Sequence, residues 1–265
     1  MKKTIKFATV GLMVTTIMTA SGLTQAQATT GPNKVYIEQL GSTNTVTIQQ
    51  VGGTNDVGGT AGSVAVDSSG VSTLTVTAPS SSNYATINGS SNTVDLTQTG
   101  SGNSAQYSIK GSNNSYTSTV LGNTNQTKLT IGDTNTNGLR NTVTESFTGN
   151  SNMAITNVVG NDNVLSSTVT GNSNQFTTVV TTSNADMTQT VTGDSNVVNT
   201  QQIDAAGSAG HSLTNFISGS YNSITTQQQG TNDTTVDIKT TGDHNTITVR
   251  TSSSAIVSPV TAIAR

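Results

Sequence analysis

Side chains that could perform acid–base or nucleophilic chemistry are few and scattered in this sequence. The chain has two histidines, His211 and His244, no cysteine and 13 acidic residues. His244 lies inside a glycine-led turn, where an exposed histidine is expected rather than a catalytic base. The many serines have no base paired with them. The sequence therefore predicts a chain that is not an enzyme and uses no cofactor.

Four aspartates invite comparison with solenoid repeats that bind calcium. They lie in glycine-led turns, at Asp133, Asp162, Asp194 and Asp243. Calcium-binding repeats of that kind have a period of about nine residues with an acidic residue in each turn. Here the period is 11 residues and most turns carry Asn or Ser instead. No metal site is expected.

Amides and glycines, in contrast, recur at fixed spacing. The pattern Q-x-G-x-x-N occurs from Gln39 to Asn44 and again from Gln50 to Asn55, 11 residues later. The shorter pattern G-x-x-N occurs 14 times, where chance gives about three. It begins at Gly41, Gly52, Gly89, Gly100, Gly111, Gly122, Gly132, Gly138, Gly149, Gly160, Gly171, Gly193, Gly219 and Gly242. Such periodicity indicates an ordered repeat architecture in a chain whose composition alone is typical of disorder.

The segments between these turns alternate in character. After Asn92, the positions of Val94, Leu96 and Gln98 are apolar or amide, and the positions between them are Thr or charged. Period two over about six residues predicts a strand with one buried face. Gly accepts positive φ and Asn tolerates it, so G-x-x-N predicts a tight arc after each strand.

A single strand and arc cannot bury its apolar face, so two must oppose each other in each coil. We therefore predict an all-β fold, a β-solenoid of parallel stacked strand-arc-strand coils with about 22 residues per coil. Roughly ten coils would form a rod on the order of 50 Å long, because neighbouring strands lie about 4.8 Å apart.

Identical Asn and Gln side chains should lie above one another in such a stack and hydrogen-bond as ladders. We assign ladder and arc roles to Gln39, Gly41, Asn44, Gln50, Gly52, Asn55, Gly89, Asn92, Gln98, Gly100, Asn103, Gly193, Asn196, Gln202, Gly219, Asn222, Gln228, Gly242 and Asn245. The amides expected to face an incoming chain at the two ends are those of Gln39, Asn44, Gln50, Asn222 and Gln228.

The chain begins with a segment typical of a secretory signal peptide. Lys2, Lys3 and Lys6 precede a mostly apolar run over residues 7–20, and Ala26-Gln27-Ala28 supplies a cleavage motif. We predict cleavage between Ala28 and Thr29, secretion of the mature chain and no membrane span within it.

The sequence divides into five segments on these criteria. They are a signal peptide (1–28), an N-terminal segment with the first repeats (29–55), degenerate repeats where the motif fades (56–88), the main repeat array (89–250) and a C-terminal tail (251–265). Extra residues around 132–138 and 204–214 predict loops. Glu145 follows the first of these and would be a buried charge unless the strand register slips there.

Net charge is only −3, and charged residues make up 9% of the chain. The few basic residues are dispersed rather than clustered, so no electrostatic argument supports a nucleic-acid partner.

The repeat resembles that of the curlin family of curli-type functional amyloids, S-x5-Q-x-G-x2-N-x-A-x3-Q. Gln39-x-Gly41-x2-Asn44-x-Val46-x3-Gln50 follows its second half, with Val in place of Ala. Partial matches begin at Asn92, Asn196 and Asn222, and the resemblance covers most of residues 33–250. The leading Ser is usually Asn here, and the Gln position is apolar at Val120, Phe147, Val158 and Val169. The chain thus resembles a divergent curlin-repeat protein.

The resemblance implies a secreted structural subunit, or the nucleator, of a curli-like extracellular amyloid fibre, a type of pilus. Such fibres serve cell adhesion and the biofilm matrix at the surface of a Gram-negative-type bacterium. The resemblance also implies self-assembly, export through a curli-type outer-membrane pore and a nucleator or major-subunit partner.

The alternative is a soluble Thr-rich β-solenoid binding module such as an ice-binding protein. Thr-x-Thr begins at Thr45, Thr75, Thr117, Thr190 and Thr246. A flat ice-binding face requires such pairs in register on successive coils. The equivalent positions of other repeats include Thr93 with Asp95 and Ser104 with Gln106, so the pattern favours the fibre.

Overall fold

The computed structural model describes residues 3–7, 22–24, 27–28, 33–58, 60–66, 72–77, 84–204, 210–253 and 260–264. These residues contain β-strands and no helix, so none of their elements is a helix that could cross a membrane. The strands are β1 (Lys3–Phe7), β2 (Gly22–Thr24), β3 (Gln27–Ala28), β4 (Lys34–Leu40), β5 (Thr45–Gly52), β6 (Asp56–Val57), β7 (Thr60–Val66), β8 (Ser72–Thr77), β9 (Ala85–Asn88), β10 (Thr93–Thr99), β11 (Ser104–Ser112), β12 (Ser115–Leu121), β13 (Gln126–Ile131), β14 (Gly138–Leu139), β15 (Thr142–Thr148), β16 (Met153–Val159), β17 (Val164–Thr170), β18 (Gln175–Thr181), β19 (Asp186–Thr192), β20 (Val197–Ile203), β21 (Ser212–Ser218), β22 (Ser223–Gly230), β23 (Thr235–Thr241), β24 (Thr246–Ser253) and β25 (Val260–Ala264).

Two long sheets are formed as the chain passes from one to the other in each coil. Sheet 1 stacks β4, β6 with β9, β11, β13, β16, β18, β20, β22 and β24, and sheet 2 stacks β5, β10, β12, β15, β17, β19, β21, β23 and β25. Neighbouring strands of these series are parallel and in register; Val143 of β15, for example, lies between Tyr116 and Leu165. The chain is therefore a β-solenoid of about 8 turns, which confirms the predicted fold class.

The coil length varies only where residues are inserted in arcs. Asn92 and Asn114 are 22 residues apart, whereas Asn114 and Asn141 are 27 apart and Asn196 and Asn222 are 26 apart. The insertion after β13 folds around Asp133, whose Oδ1 accepts the backbone N–H groups of the two residues Asn135 and Thr136. Because the extra residues lie outside the strands, the register does not slip.

β7 and β8 lie outside the two stacked sheets. β6 and β9 together occupy one strand position, pairing with β4 on one side and β11 on the other. β7 and β8 pair with each other as an antiparallel hairpin in a sheet of their own. In the segment interpreted as degenerate repeats, these two strands thus form no further coils. This excursion is one reason for about 8 turns rather than ten.

The core lies between the two sheets and is built from alternate residues of each strand. Its largest fully buried side chains include Tyr107, Tyr116 and Phe147. A column of buried polar side chains runs along the middle of this core, between columns of apolar side chains. Its members are Ser118, Glu145, Ser167, Gln189 and Asn215 on sheet 2, opposite Thr156, Thr178, Thr200 and Thr226 on sheet 1.

The first coil has the N-terminal strands on its outer edge. β1 pairs antiparallel with β4, placing Lys3 opposite Gln39. β2 and β3 pair in parallel with β5. Ala28 ends β3, and Thr29 lies outside the described residues.

Candidate functional site

The G-x-x-N arcs depend on two residues with positive φ. In the arc from Gly171 to Asn174, Gly171 has φ +130° and Ser173 has φ 56°. A Cβ on Gly171 would overlap the carbonyl oxygen of Gly193 in the next coil, so both space and conformation require glycine. The glycines stacked in this arc are Gly52, Gly100, Gly122, Gly149, Gly171, Gly193, Gly219 and Gly242.

The Asn that ends each of these arcs belongs to a ladder along one edge of sheet 1. Asn174, which is fully buried, donates its backbone N–H and its Nδ2 to the Oδ1 of Asn152 at 3.0 and 3.1 Å. Its Nδ2 also donates to the carbonyl of Gly193 at 2.8 Å. Its own Oδ1 accepts the same pair of bonds from Asn196. We call this the long ladder; it contains Asn33, Asn55, Asn103, Asn125, Asn152, Asn174, Asn196, Asn222 and Asn245.

A shorter ladder follows the other arc, at the start of the sheet 2 strands. It contains Asn44, Asn92, Asn114, Asn141 and Asn163. It ends where Ala185 donates only its backbone N–H to the Oδ1 of Asn163. His211 and Thr234 take the next two positions, buried and joined by a 2.9 Å hydrogen bond between His211 Nδ1 and Thr234 Oγ1.

Both ladders are directional, because each Oδ1 accepts bonds from the following coil. Asn44 already accepts from Asn92, and Asn222 accepts from Asn245. Gln228 donates its Nε2 to the carbonyl and hydroxyl of Thr234. The expectation that Asn222 and Gln228 face an incoming chain is therefore wrong, since the coil that contains Asn245 and β24 covers both of them. Asn44 starts the short ladder next to β5, at the opposite end of the stack.

The glutamines form isolated pairs rather than a ladder. Gln50 donates to Gln98 at 2.8 Å, and Gln202 donates to Gln228 at 2.9 Å. Each pair lies in one inward-facing column, and the neighbouring positions of both columns are apolar. These are Ile109, Ile131, Val158 and Val180 on sheet 1 and Val120, Phe147, Val169, Val191 and Ile217 on sheet 2. Gln39 is buried on β4.

Sequence reasoning assigned ladder roles mainly to repeats that carry the Gln of the family pattern. It left out Asn33, Asn114, Asn125, Asn141 and Asn174. All of these except Asn33 end a G-x-x-N arc, so the shorter pattern alone would have identified them.

Asn245 is the last member of the long ladder. Its Nδ2 donates to the Oδ1 of Asn222 at 2.9 Å and to the carbonyl of Thr241 at 3.4 Å. Within the described part of the chain, nothing donates to its Oδ1. The strand that follows, β24, pairs with β22 on one side and ends sheet 1. The end of the solenoid thus exposes a strand edge together with an open ladder position.

The polar column of the core centres on Glu145, which is buried and faces inward. Tyr116 donates its hydroxyl to Glu145 Oε2 at 3.0 Å, and Thr156 donates to Oε1 at 2.5 Å. Burial raises the pKa of Glu145, although both hydrogen bonds oppose the shift. Burial and the nearby carboxylate raise the pKa of Tyr116 well above its usual value.

Each of the four arc aspartates accepts hydrogen bonds from other residues of the chain. Asp162 accepts two hydrogen bonds from Arg140, at 2.6 and 2.7 Å, and these lower its pKa. The Oδ1 atoms of Asp194 and Asp243 accept bonds from neighbouring arcs. Among the described residues, no three His, Cys, Asp or Glu side chains cluster as a metal site. His244 is exposed and stacks on Tyr221, with ring centroids 5.1 Å apart.

The outer face of sheet 2 carries hydroxyl side chains in register over four strands. Thr117 and Thr119 on β12 lie opposite Thr144 and Ser146 on β15. The two strands beyond continue both columns with Ser166 and Thr168, then Thr188 and Thr190. The sequence interpretation that such pairs are out of register applies at Asp95, which lies between Thr47 and Thr117. It is wrong for this block.

Comparison with known proteins gives no relative: no family model matches the chain, and no curated protein or solved structure matches it either.

Proposed function

We propose that the chain is a subunit, or the nucleator, of an extracellular amyloid-like fibre that grows by adding copies to the end of its solenoid. The observation that carries the proposal is the last step of the long ladder at Asn245, which is open among the described residues, beside the edge of β24 that no described strand pairs with. Parallel, in-register strands with amide ladders are the arrangement that stacks without limit in cross-β fibres.

The backbone of β24 supports the same proposal. The residue after each ladder Asn directs its N–H toward the following coil, as when Val197 donates to Asn222 and Ser223 donates to Asn245. Strand geometry gives the N–H groups of Thr246 and Thr248 the same direction, beyond the last strand of sheet 1. An unpaired edge of this kind templates another strand.

The finer features of the proposal rest on the sequence. Adhesion, a biofilm matrix role, export through an outer-membrane pore and a Gram-negative-type surface follow from the curlin-like repeat and the leader. Main subunit and nucleator stay as alternatives, because both would use the same edge.

The test is fibre formation by the secreted chain and by a variant blocked at the edge. Thr248→Pro removes an N–H that points away from the solenoid, so it should suppress fibres while leaving the monomer folded. Thr134→Pro, in the exposed arc after β13, is the matched control and should assemble normally. We expect the unmodified chain to form thioflavin-positive fibres with a reflection near about 4.7 Å. Absence of fibres from the unmodified chain would refute the proposal.

The hydroxyl face of sheet 2 favours a second candidate, a soluble ice-binding solenoid. Its block of Thr and Ser has repeats of about 4.8 Å across strands and about 6.7 Å along them, a two-dimensional lattice that ordered water can match. Thermal hysteresis of the monomer measures this directly. Hysteresis that Thr144→Lys with Thr168→Lys abolishes, in a chain that forms no fibres, would replace the fibre proposal.

A further inference from the structure

We infer that the end of one copy, at β24, docks on β4 of a second copy in a single register that places Arg250 beside Glu38. This rests on the proposed function and specifies its partner surface, its polarity and its residue pairs.

The ladder sets the register. Asn33 precedes β4 as Asn245 precedes β24, and Asn33 starts the long ladder by accepting the backbone N–H of Asn55 at 2.9 Å. Repeating the inner ladder step between chains places the second copy's Asn33 on the Oδ1 of Asn245. That oxygen then receives the bonds that every inner ladder oxygen receives.

This register continues the buried columns. Ile247 of β24 lies opposite Val35 of the second copy, and Val249 lies opposite Ile37. Apolar side chains therefore face each other at both positions. Thr251 follows Gln228 in its column, and its buried hydroxyl has no hydrogen-bond partner among the described residues. It would lie next to the amide of Gln39. β25 lies beside β23 in the same coil and would meet β5, so both sheets continue.

The outward columns supply charge complementarity. Arg250 is exposed on β24, four residues after Thr246. Counting from the two ladder asparagines, Arg250 lies opposite Glu38, and Thr248 lies opposite Tyr36. Glu38 is buried in the full chain, where β1 lies along β4. Side chains at facing positions of adjacent strands are close enough to form an ion pair.

Other registers lose these contacts. A shift by one residue turns the apolar side chains of one strand outward. A shift by two residues moves Arg250 to Tyr36 or Leu40 and breaks the ladder. Pairing of two β24 edges would be antiparallel and would bring Arg250 toward a second cationic strand. Only the head-to-tail arrangement satisfies all three features, and a head-to-tail contact produces an open filament.

The leader occupies the same surface in the full chain. β1 pairs along β4, with Thr4 opposite Glu38. Cleavage after Ala28, predicted from the sequence, removes β1, β2 and β3 together and uncovers β4. The docking therefore belongs to the secreted form.

Disulfide trapping tests the register directly, because the chain has no cysteine of its own. The secreted variant with Tyr36→Cys and Thr248→Cys is assembled, oxidised mildly, denatured and run without reductant. Facing Cα atoms about 4.8 Å apart can be bridged, whereas an offset of two residues exceeds about 7 Å and cannot. We expect a series of covalent multimers that reductant collapses to monomer.

The controls separate the possible failures. Tyr36→Cys with Arg250→Cys, offset by two residues, should give no multimers, and Thr248→Cys alone should give no dimer. Multimers from the offset pair, or dimers from Thr248→Cys alone, would overturn the register while leaving the fibre proposal intact. Absence of fibres from the unmodified chain would instead overturn the proposed function and this inference together.

Charge exchange tests the ion pair. Arg250→Glu and Glu38→Arg should each slow seeded elongation several-fold at low salt, and the double exchange should restore it. Added salt should reduce the difference, because Arg250 is exposed and salt screens its charge. Equal elongation rates for the unmodified chain and Arg250→Glu would show that the two charges do not meet.

Discussion

Thr156 on sheet 1 donates its hydroxyl to Glu145 on sheet 2, joining the two sheets through a carboxylate in the middle of the core at 2.5 Å. The only other described donor to that carboxylate is Tyr116. No described cation contacts it, so burial makes its ionised form costly.

The first prediction is a stability change with pH that depends on Glu145. Its pKa in the folded chain is raised above the unfolded value of about 4.3. The folded state therefore favours the protonated form, and the free energy of unfolding should rise as pH falls from 7 toward about 4.3. Urea denaturation of the monomer at a series of pH values measures this.

Glu145→Gln is the matched variant for that series. It should be more stable than the unmodified chain at pH 7, because a neutral amide removes the cost of burying an ionised carboxylate. The free energy of unfolding of this variant should also rise much less as pH falls from 7. A smaller rise should remain from Asp56, because partial burial raises the pKa of Asp56. Identical pH profiles for the two proteins would show that Glu145 is not the source.

The second prediction concerns the glycine column. Gly171→Ala should destabilise the monomer by about 3 kcal/mol or more, because the added Cβ overlaps the Gly193 carbonyl and the residue has positive φ. Gly102→Ala is the control. Gly102 also has positive φ, but the nearest atom to its added Cβ is 3.4 Å away. A loss at Gly171 no larger than the loss at Gly102 would contradict the close packing of arcs.

The third prediction compares two asparagines in one arc. Asn174→Ala removes four side-chain bonds of the long ladder from a fully buried site and should cost about 3 kcal/mol. Asn172→Ala removes an exposed ladder contact, to Asp194 and Asn150, and should cost less than about 1 kcal/mol. The difference in urea midpoint between the two variants provides the measurement. Similar midpoints would mean that water replaces the buried bonds.

The fourth prediction concerns processing. Mass spectrometry of the extracellular protein should find Thr29 at its N-terminus, because the leader ends in an A-x-A motif. An extracellular chain that retains residues 1–28 would contradict both the cleavage prediction and the uncovering of β4.

The repeat architecture was accessible from the sequence because each coil repeats the same local requirements. Positive φ at Gly and burial of alternate residues recur every 11 residues, so the pattern around Gly171 or Gly193 predicts its own arc and strand. The position of the coils in the stack was also predictable where the spacing is regular.

The excursion between β6 and β9 was not accessible in the same way. Its alternating residues predict strands, and β7 and β8 are strands. Alternation does not specify a partner, and without G-x-x-N arcs these strands pair with each other.

By itself, the sequence determined the all-β solenoid and the length of its coils, since these follow from periodicity and local backbone preference. Only the tertiary structure decided which asparagines form continuous ladders, in which direction each amide donates, and that Asn245 rather than Asn222 ends the series. A hydrogen bond between coils depends on which strands become neighbours, and residues about 22 positions apart become neighbours only when the whole chain has wound.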